Sequence, residues 1–278
     1  MPRGMRLGFV VTDLDGTLLD SRRQLGALDR ATLLELGARG IVRVVATGRS
    51  LFSAERVLSA DFPIDFLVFS SGAGILRWPA RQLLEVQHMS AASALSLARR
   101  LRERGLDFML HRAIPDNHQF FTHRSGRPNP DFEQRARLYA AHAQPLELPL
   151  RVDLPMCQAL VIEPPPGPGC YPELAAELAD FSVIRATSPL DGASTWIEVF
   201  PAGVSKAAAA RWLLRSLGRE HTSSLAVGND YNDLALLDWA DFACVVRNAP
   251  AELRSRYRTV ACNDDGGFSD AVRAALEA

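Results

Sequence analysis

Residues 7–17 read Leu-Gly-Phe-Val-Val-Thr-Asp-Leu-Asp-Gly-Thr, an apolar stretch that ends abruptly in two aspartates and a glycine. The uncharged run before Asp13 is typical of a strand that is buried on both faces of a parallel sheet. Open α/β sheets bind ligands at the carboxyl ends of such strands. Asp13 and Asp15 therefore stand where a functional site is expected, and the stretch predicts both the class of fold and the position of its chemistry.

Helical and strand-like segments alternate on both sides of this strand. The predicted elements are a helix over 25–36, buried strands over 41–46 and 66–69, and, late in the chain, strands over 196–199, 224–227 and 243–246 with helices over 206–217, 232–239 and 268–276. Strands and helices in this repeating order predict an α/β fold with a doubly wound, Rossmann-like parallel sheet.

The middle of the chain differs in composition from both ends. It opens after Trp78-Pro79, contains the Pro- and Gly-rich tract over 164–169 and closes near Ser188-Pro189. Its alternating strands and helices predict an inserted α+β domain. We therefore expect a first core part over 1–78, an inserted cap domain over 79–189 and a second core part over 190–278, which is a reasonable length for two domains.

Composition argues against several classes of function. With 31 basic and 32 acidic residues the formal charge is −1, so no net positive field favours nucleic acid or anionic lipid. No apolar run reaches the roughly 18 residues of a membrane span, and the basic N-terminus lacks the apolar core of a signal peptide. The four cysteines form no CxxC pair, so neither disulfides nor structural zinc are indicated. We expect a cytoplasmic monomer or small homo-oligomer that binds neither nucleic acid nor membrane.

Lysine usage singles out one position. Lys206 is the only lysine among the 31 basic residues, and all the others are arginines. A lysine ammonium is a compact point charge on a slim stem, whereas the arginine guanidinium is a broad planar fork. A site that places one ammonium against a phosphate oxygen could require lysine and reject arginine, although one lysine could also persist by chance.

Four polar clusters follow predicted strands or begin a predicted helix. They are Asp13-Leu14-Asp15-Gly16-Thr17, Thr47-Gly48-Arg49, Gly203-Val204-Ser205-Lys206 and Gly228-Asn229-Asp230-Tyr231-Asn232-Asp233. Carboxylates this close together repel one another, and Mg²⁺, which prefers oxygen ligands, relieves that repulsion. A metal-held aspartate can attack phosphorus, and a carboxylate two residues further on can protonate the leaving oxygen and then activate water. The clusters therefore indicate metal-assisted phosphoryl transfer.

In this order the clusters resemble the four motifs of phosphatases of the haloacid dehalogenase (HAD) superfamily. The resemblance rests on DLDGTLL over 13–19, ATGR over 46–49, GVSK over 203–206 and GNDYND over 228–233. The long insertion after the second motif, and Asn263-Asp264-Asp265-Gly266 near the C-terminus, are similar to the Cof-type subgroup. The resemblance implies a phosphatase whose cap closes over the site, with a small phosphorylated metabolite as substrate.

The resemblance also implies roles for individual residues. Asp13 would be the nucleophile that forms an aspartyl-phosphate, and Asp15 the general acid/base; Thr47 and Lys206 complete the candidate catalytic residues. The residues expected to contact phosphate are Leu14, Thr47, Gly48, Lys206 and Asn232. The residues expected to hold Mg²⁺ are Asp13, Asp15 (through its backbone carbonyl), Asn229 and Asp233.

Two positions depart from the family pattern. The fourth motif ordinarily begins Gly-Asp, whereas Asn229 occupies the place of that aspartate here. An amide carbonyl is an oxygen ligand without charge, so we expect lower metal affinity, and the adjacent Asp230 could take over the role. Ser71 stands where many relatives have asparagine.

Other interpretations of the same residues stay open. A phosphomutase would use Asp13 in the same way but return the phosphoryl group to its substrate. A non-catalytic module that binds phosphorylated metabolites could carry Asn229 as the first sign of a degenerate metal site. Dehalogenase chemistry is disfavoured by Asp15 and by its lack of any need for a metal.

The remaining polar residues of interest are expected to be less central. Arg49 is expected to be a structural ion-pair partner rather than a substrate ligand. His111, His118 and His123 lie at spacings that fit no single helix or strand face, so they are expected at the surface or lining the substrate rather than in a zinc site.

Overall fold

The computed structural model of the protein describes residues 6–147, 152–165 and 169–278. By its internal contacts the chain divides into a core unit, Met1–Glu85 with Ser205–Ala278, and an inserted unit, Val86–Val204. Among the described residues, no helix is long and apolar enough to cross a membrane.

Strands and helices alternate along most of the chain. In order they are β1 (Leu7–Thr12), α1 (Ala27–Ala38), β2 (Val42–Ala46), α2 (Leu51–Ala54), β3 (Phe66–Phe69), β4 (Gly74–Arg77), β5 (Gln82–Val86), α3 (Ala91–Glu103), β6 (Phe108–Arg112), β7 (Phe120–His123), α4 (Pro130–Leu138), β8 (Ala143–Pro145), β9 (Met156–Glu163), α5 (Tyr171–Glu177), β10 (Phe181–Thr187), β11 (Thr195–Pro201), α6 (Lys206–Ser216), β12 (Ser223–Gly228), α7 (Leu234–Trp239), β13 (Phe242–Val246), α8 (Ala251–Arg256), β14 (Arg258–Val260) and α9 (Gly267–Leu276).

An eight-stranded sheet forms the centre of the core unit, with strand order β14-β13-β12-β1-β2-β3-β4-β5. The strands from β14 to β3 run parallel, and β4 turns back antiparallel to β3. β1 lies between β12 and β2, so its carboxyl end meets the carboxyl ends of both neighbours. Phe9 and Val11 of β1 are fully buried and pack with apolar residues of α6 and α7. The prediction of a doubly wound α/β core is confirmed.

The inserted unit contains a six-stranded sheet of order β10-β11-β9-β6-β7-β8, antiparallel except where β7 pairs with β8. Side chains alternate between its two faces, as the period of a strand requires. One face packs under α3 and α5, with Phe108, Val161 and Ile197 in the apolar cluster. The other packs under α4, with Phe120 and Trp196. The unit is therefore a two-sided α+β domain.

The division of the chain differs from the predicted boundaries at both ends of the insertion. The strand predicted over 196–199 for the second core part is β11, which pairs with β9 and β10 in the second sheet. β5, beyond the predicted boundary at 78, belongs to the first sheet. A short apolar run predicts a strand equally well in either sheet, because its pairing partners are not contained in the run itself.

Candidate active site

The loop after β1 is held against the neighbouring strand and the fourth motif. The backbone N–H of Asp13 donates to the carbonyl of Val227 in β12, 2.9 Å away. Gly16 has a φ of +70°, and a Cβ at that position would lie 2.6 Å from Nδ2 of Asn229. Glycine is therefore required for two reasons, and its absent side chain lets Asn229 pack directly on the loop that carries Asp13 and Asp15.

Lys206 joins the first and fourth motifs. It begins α6, which Ser205 caps by accepting a hydrogen bond from the backbone N–H of Ala208. Its ammonium donates to Oδ1 of Asp13 at 2.6 Å and to Oδ1 of Asp233 at 2.7 Å. The side chains of Lys206 and Asp233 are 1% and 0% exposed. The only lysine of the chain is thus a buried cation between two carboxylates.

Burial and neighbouring charges set the ionisation of this cluster. Burial raises the pKa of Asp13 to about 7; the Lys206 ammonium opposes this, and the carboxylates of Asp233 and Asp15 reinforce it. Burial alone would lower the pKa of Lys206, but the two carboxylates outweigh that effect and hold it above its usual value. Lys206 therefore stays charged, while the pKa of the Asp13 carboxyl lies close to neutral pH.

Asp233 has no oxygen left unengaged. Oδ1 accepts from Lys206, and Oδ2 accepts from the backbone N–H groups of Asn229 at 2.9 Å and Asp230 at 3.2 Å. The hydrogen bonding is reciprocal: the side chain of Asp230 caps the one-turn helix Tyr231–Asp233 by accepting from the backbone N–H of Asp233. The two carboxylates therefore shape the fourth-motif turn, and Asp233 also holds Lys206 in position.

The loop after β2 is held by the turn after β3. The buried Ser70 and Ser71 have left-handed backbones, with φ of 49° and 53°, and their N–H groups donate to the carbonyls of Arg49 and Thr47 at 2.8 and 3.0 Å. Gly72 follows with a φ of +109°, where a Cβ would lie 2.3 Å from the Ser205 carbonyl oxygen. This turn therefore links the second motif to the start of α6.

Arg49 forms an ion pair, as expected, and its partner is Asp15. Nε and Nη2 of the guanidinium donate to the two oxygens of that carboxylate, each over 2.6 Å. Nη1 donates to the carbonyl oxygen of Ser53 at 3.2 Å and to its Oγ at 3.1 Å. The arginine therefore connects the second motif to the candidate general acid/base of the first.

The donor set fits a hard divalent cation. Asp13, the Asp15 carbonyl and the Asn229 amide offer only oxygen, which Mg²⁺ prefers. Within the described part of the chain, no three His, Cys, Asp or Glu residues are grouped so as to hold a metal. Oδ1 of Asp233 accepts one hydrogen bond, from Lys206, and keeps a lone pair that could bind a metal. A metal ion here would therefore depend on carbonyl oxygens as well as on the carboxylates of Asp13 and Asp233.

The side-chain oxygen of Asn232, in the fourth motif, is a buried polar atom without a hydrogen-bond donor among the described residues. Buried polar atoms nearly always find a partner in the protein, in ordered water or in a ligand. The atom lies in the segment that the sequence analysis assigned to phosphate contact, which suits a ligand-facing role for Asn232.

Loops near the C-terminus form hydrogen bonds with the loop after β1. These contacts were not predicted from the sequence. Asn248 donates from Nδ2 to the carbonyl of Gly16 at 2.7 Å, and Asn263 donates from Nδ2 to that of Leu19 at 3.0 Å. Asp264 accepts from the backbone N–H of Ser21 at 2.7 Å. The Cof-like segment Asn263-Asp264-Asp265-Gly266 was a signal for these contacts, whereas nothing pointed to Asn248.

The histidines of the insertion differ in burial, and His111 does not lie at the surface. His111 is buried, and its Nδ1 lies 2.8 Å from the Asn117 carbonyl oxygen. Burial, helped by the charge of Arg135, lowers its pKa to about 3. The His118 ring packs edge-on against His142, with centroids 4.9 Å apart. These contacts give the histidines a packing role within the inserted unit.

A family model described as haloacid dehalogenase-like hydrolase matches residues 10–272. The chain belongs to this family. The resemblance predicted from the four motifs is confirmed, and this hydrolase has relatives along its whole length. It is 22% identical over 275 residues to YxeH of Bacillus subtilis (strain 168), provisionally named a phosphatase, and the match covers 95% of this chain and 96% of YxeH.

Two further relatives define the extent of the likeness. The hydrolase is 24% identical over 287 residues to the chloroplastic endoribonuclease YBEY of Arabidopsis thaliana; the match covers 96% of this chain but 46% of that protein, so the chain spans about half its length. Its fold is similar to the solved structure of the HAD subclass IIB sugar phosphatase BT4131, with a TM-score of 0.74, 15% identity and 96% and 98% of the two chains covered.

Proposed function

We propose that the protein is a Mg²⁺-dependent phosphatase that hydrolyses small phosphomonoesters through a phospho-aspartate on Asp13. The observation that carries the proposal is the buried Lys206 ammonium, which lies 2.6 Å from Oδ1 of Asp13 at the carboxyl end of β1. A fixed cation beside a buried carboxylate is suited to stabilise the charge that develops when that carboxylate attacks a phosphate.

The side chains of the first motif can perform both half-reactions. Asp13 attacks phosphorus, the bond from phosphorus to the leaving oxygen breaks, and Asp15 gives that oxygen a proton. Water then attacks phosphorus, Asp15 accepts its proton, and the bond between phosphorus and Asp13 breaks. Asp15 thus ends the cycle with the proton it began with, and inorganic phosphate and an alcohol are released.

Other groups would hold the phosphate in place. Thr47 and Gly48 lie in the loop that Ser70 and Ser71 support, and Leu14 and Asn232 lie in the two loops joined by Lys206. Asp13, the Asp15 carbonyl, Asn229 and Asp233 would hold Mg²⁺, which when bound supplies positive charge that screens the repulsion between the nucleophile and its anionic substrate.

The substrate class is proposed from the fold family rather than from a pocket. Sugar phosphates, nucleotides and phosphorylated cofactors all carry the phosphomonoester that this site would cleave. Because BT4131, a protein with the same fold, is a sugar phosphatase, sugar phosphates are the first class to screen.

The proposal is tested by phosphate release from p-nitrophenyl phosphate, with Mg²⁺ and with EDTA. We expect metal-dependent release from the wild type and none from Asp13→Asn, because an amide cannot form the acyl phosphate. Asp20→Asn is the control: Asp20 lies in the same loop, and its Oδ1 accepts from the backbone N–H groups of Arg22 and Gln24, as an amide oxygen also can. Activity retained by Asp13→Asn would exclude the nucleophile assignment.

The metal assignment is tested separately by Mg²⁺ titration calorimetry of the wild type and Asn229→Asp. If the Asn229 carbonyl oxygen is a ligand, adding a charge to it should tighten binding by about tenfold or more, since Mg²⁺ favours carboxylate oxygen. An unchanged dissociation constant would remove Asn229 from the ligand set. This titration reports on the metal without relying on turnover.

A further inference from the structure

We infer that Arg49 is a positioning residue for the reaction: its guanidinium fixes the Asp15 carboxylate in the orientation from which Asp15 transfers protons. The inference rests on the proposed function, because it assigns Arg49 a part only if Asp15 is the acid/base. It goes beyond the ion-pair role expected for Arg49 from the sequence, which carried no consequence for the reaction.

The pair between Arg49 and Asp15 is two-pronged. Nε and Nη2 each donate to a different carboxylate oxygen over 2.6 Å. Two parallel hydrogen bonds fix both the direction and the plane of a carboxylate, which one point charge cannot do. Each carboxylate oxygen still has a lone pair that points away from the guanidinium, so the group can carry a proton while the pair persists.

The guanidinium is itself anchored. Nη1 donates to both the carbonyl oxygen and the hydroxyl of Ser53 in α2. The backbone of Arg49 is held as well: its N–H donates to Oγ1 of Thr47 at 3.1 Å, and its carbonyl accepts from Ser70 at 2.8 Å. The arginine therefore has fixed contacts at both ends of its side chain.

Packing alone does not hold Asp15. Its side chain is 38% exposed, whereas that of Arg49 is 17% exposed, so the carboxylate would be able to rotate if the fork were removed. Small displacements of a proton-transfer group slow a reaction far more than they affect folding. Ion pairs with this much exposure contribute little to stability. We therefore expect a variant that lacks the Arg49 guanidinium to fold normally but to react more slowly.

The same unit contains a matched pair that has no link to the reaction. Arg43 donates to Asp65 through Nε at 3.0 Å and through Nη2 at 2.7 Å. The side chains of Arg43 and Asp65 are 16% and 34% exposed, close to the values for Arg49 and Asp15. Arg43 lies near the amino end of β2, whereas Arg49 follows its carboxyl end. Arg43→Met therefore controls for the loss of a forked ion pair.

The experiment compares kcat and KM of the wild type, Asp13→Asn, Arg49→Met, Arg43→Met, Asp15→Asn and the double variant Arg49→Met/Asp15→Asn. Phenyl phosphate and p-nitrophenyl phosphate are the substrates, since the nitrophenolate leaves with little need for a proton. For Arg49→Met we expect kcat/KM to fall about tenfold or more with phenyl phosphate and clearly less with p-nitrophenyl phosphate, as for impaired acid catalysis. Arg43→Met should match the wild type on both substrates.

The double variant separates positioning from any other role. If Arg49 acts through Asp15, adding Arg49→Met to Asp15→Asn should lower kcat by no more than about twofold. Multiplied losses, or equal losses on the two substrates, would show that Arg49 acts on the phosphate or on the fold, and would overturn the inference. Should Arg49→Met fail to fold by circular dichroism, Arg49→Lys, which keeps the charge without the fork, should show the same substrate-dependent loss.

Failure of the inference and failure of the proposed function give different results. Wild-type protein without Mg²⁺-dependent release on either substrate would overturn both. Wild-type activity that is lost in Asp13→Asn but kept in Arg49→Met would leave the phosphatase proposal standing and overturn only the role of Arg49.

Discussion

Both units bury a cation, but they surround it in different ways. In the core unit, Lys206 lies within hydrogen-bond distance of two carboxylates, Asp13 and Asp233. In the inserted unit, Arg135 lies under the Trp196 ring, 4.5 Å from its centroid. Its Nε is buried with no hydrogen-bond partner among the described residues, and the carboxylates of Glu198 and Asp131 favour its charged form electrostatically. The first cation is held by direct ion pairs, and the second lies mainly among aromatic rings.

The buried carboxylates differ in the same sense. Asp233 is faced only by groups that donate: the Lys206 ammonium and two backbone N–H groups. Asp131 in α4 accepts from the indole Nε1 of Trp196 at 2.7 Å and from the hydroxyl of Ser188 at 2.9 Å. A hydroxyl can rotate to accept as well as donate, whereas an ammonium and a backbone N–H cannot.

The difference shows where each unit uses its charges. The core unit collects opposite charges at the carboxyl ends of parallel strands, where a substrate anion could be received. The inserted unit surrounds Arg135 with aromatic rings and meets the Asp131 carboxylate with two neutral donors, contacts that stabilise a packed sheet. A charge-compensated cluster is intolerant of losing any one member, because the remaining charges are left unpaired in a site that excludes water.

The largest expected effect is therefore from removing the core cation. Lys206→Met leaves two buried carboxylates facing each other, and breaking a buried pair in this way typically costs about 3–5 kcal/mol of unfolding free energy. Arg135→Met is the matched change in the inserted unit and should cost less, about 1–2 kcal/mol, because the loss of its cation–π contacts with the rings of Phe120, Tyr139 and Trp196 is partly offset by no longer burying a charge. Urea unfolding followed by circular dichroism measures both. Equal losses would contradict the contrast between the two cations.

The next effect compares the two carboxylates by the same substitution. In Asp233→Asn the new amide NH₂ must face either the ammonium or two backbone N–H groups, so a donor meets a donor, at a cost of about 1–3 kcal/mol. In Asp131→Asn the Ser188 hydroxyl can turn to accept from the amide, and the cost should stay below about 1 kcal/mol. Urea midpoints of the two variants test this, and a larger loss in Asp131→Asn would reverse the argument.

Local pattern predicted much of the fold correctly. The run Leu7–Thr12 and the run Phe66–Phe69 are strands with the predicted bounds, and the helix predicted from Lys206 begins there. Each of these is a property of consecutive residues. The strand over 196–199 was predicted as a strand but placed with the wrong sheet, because pairing depends on residues far away in the chain.

The candidate site was predictable as a set of clusters but not as a network. The resemblance of the four motifs implied that Asp13 and Lys206 belong to one site, although Asp13 follows β1 and Lys206 begins α6. No motif specifies the side-chain distances on which the network depends. Arg49 pairs with Asp15, 34 residues away, and Asp233 binds both Lys206 and the backbone of the fourth-motif turn. His111, expected at the surface or lining the substrate, is buried because β6 presents it to the face that α4 covers, which spacing alone does not reveal.

The last predicted effect concerns this histidine and, unlike the others, depends on pH. The pKa of His111 falls from its usual 6.5 to about 3 in the folded protein, first because of burial and then because of the charge of Arg135. Between these values the unfolded chain binds a proton that the folded chain does not, so stability is intact above pH 6.5 and is lost as the pH falls toward 3. One such group should cost about 2 kcal/mol between pH 7 and pH 5.

His111→Asn isolates that contribution, because the asparagine amide nitrogen takes the place of Nδ1 and can still donate to the Asn117 carbonyl, but it does not titrate. Unfolding free energies of wild type and variant, measured in urea at pH 7 and pH 5, should show the wild type losing about 2 kcal/mol more than the variant over this interval. All other titrating groups are common to both proteins, so they cancel in the difference. If both proteins lost the same unfolding free energy between pH 7 and pH 5, His111 would take up a proton in the folded state as readily as in the unfolded chain. The inserted unit would then tolerate a second buried positive charge beside Arg135.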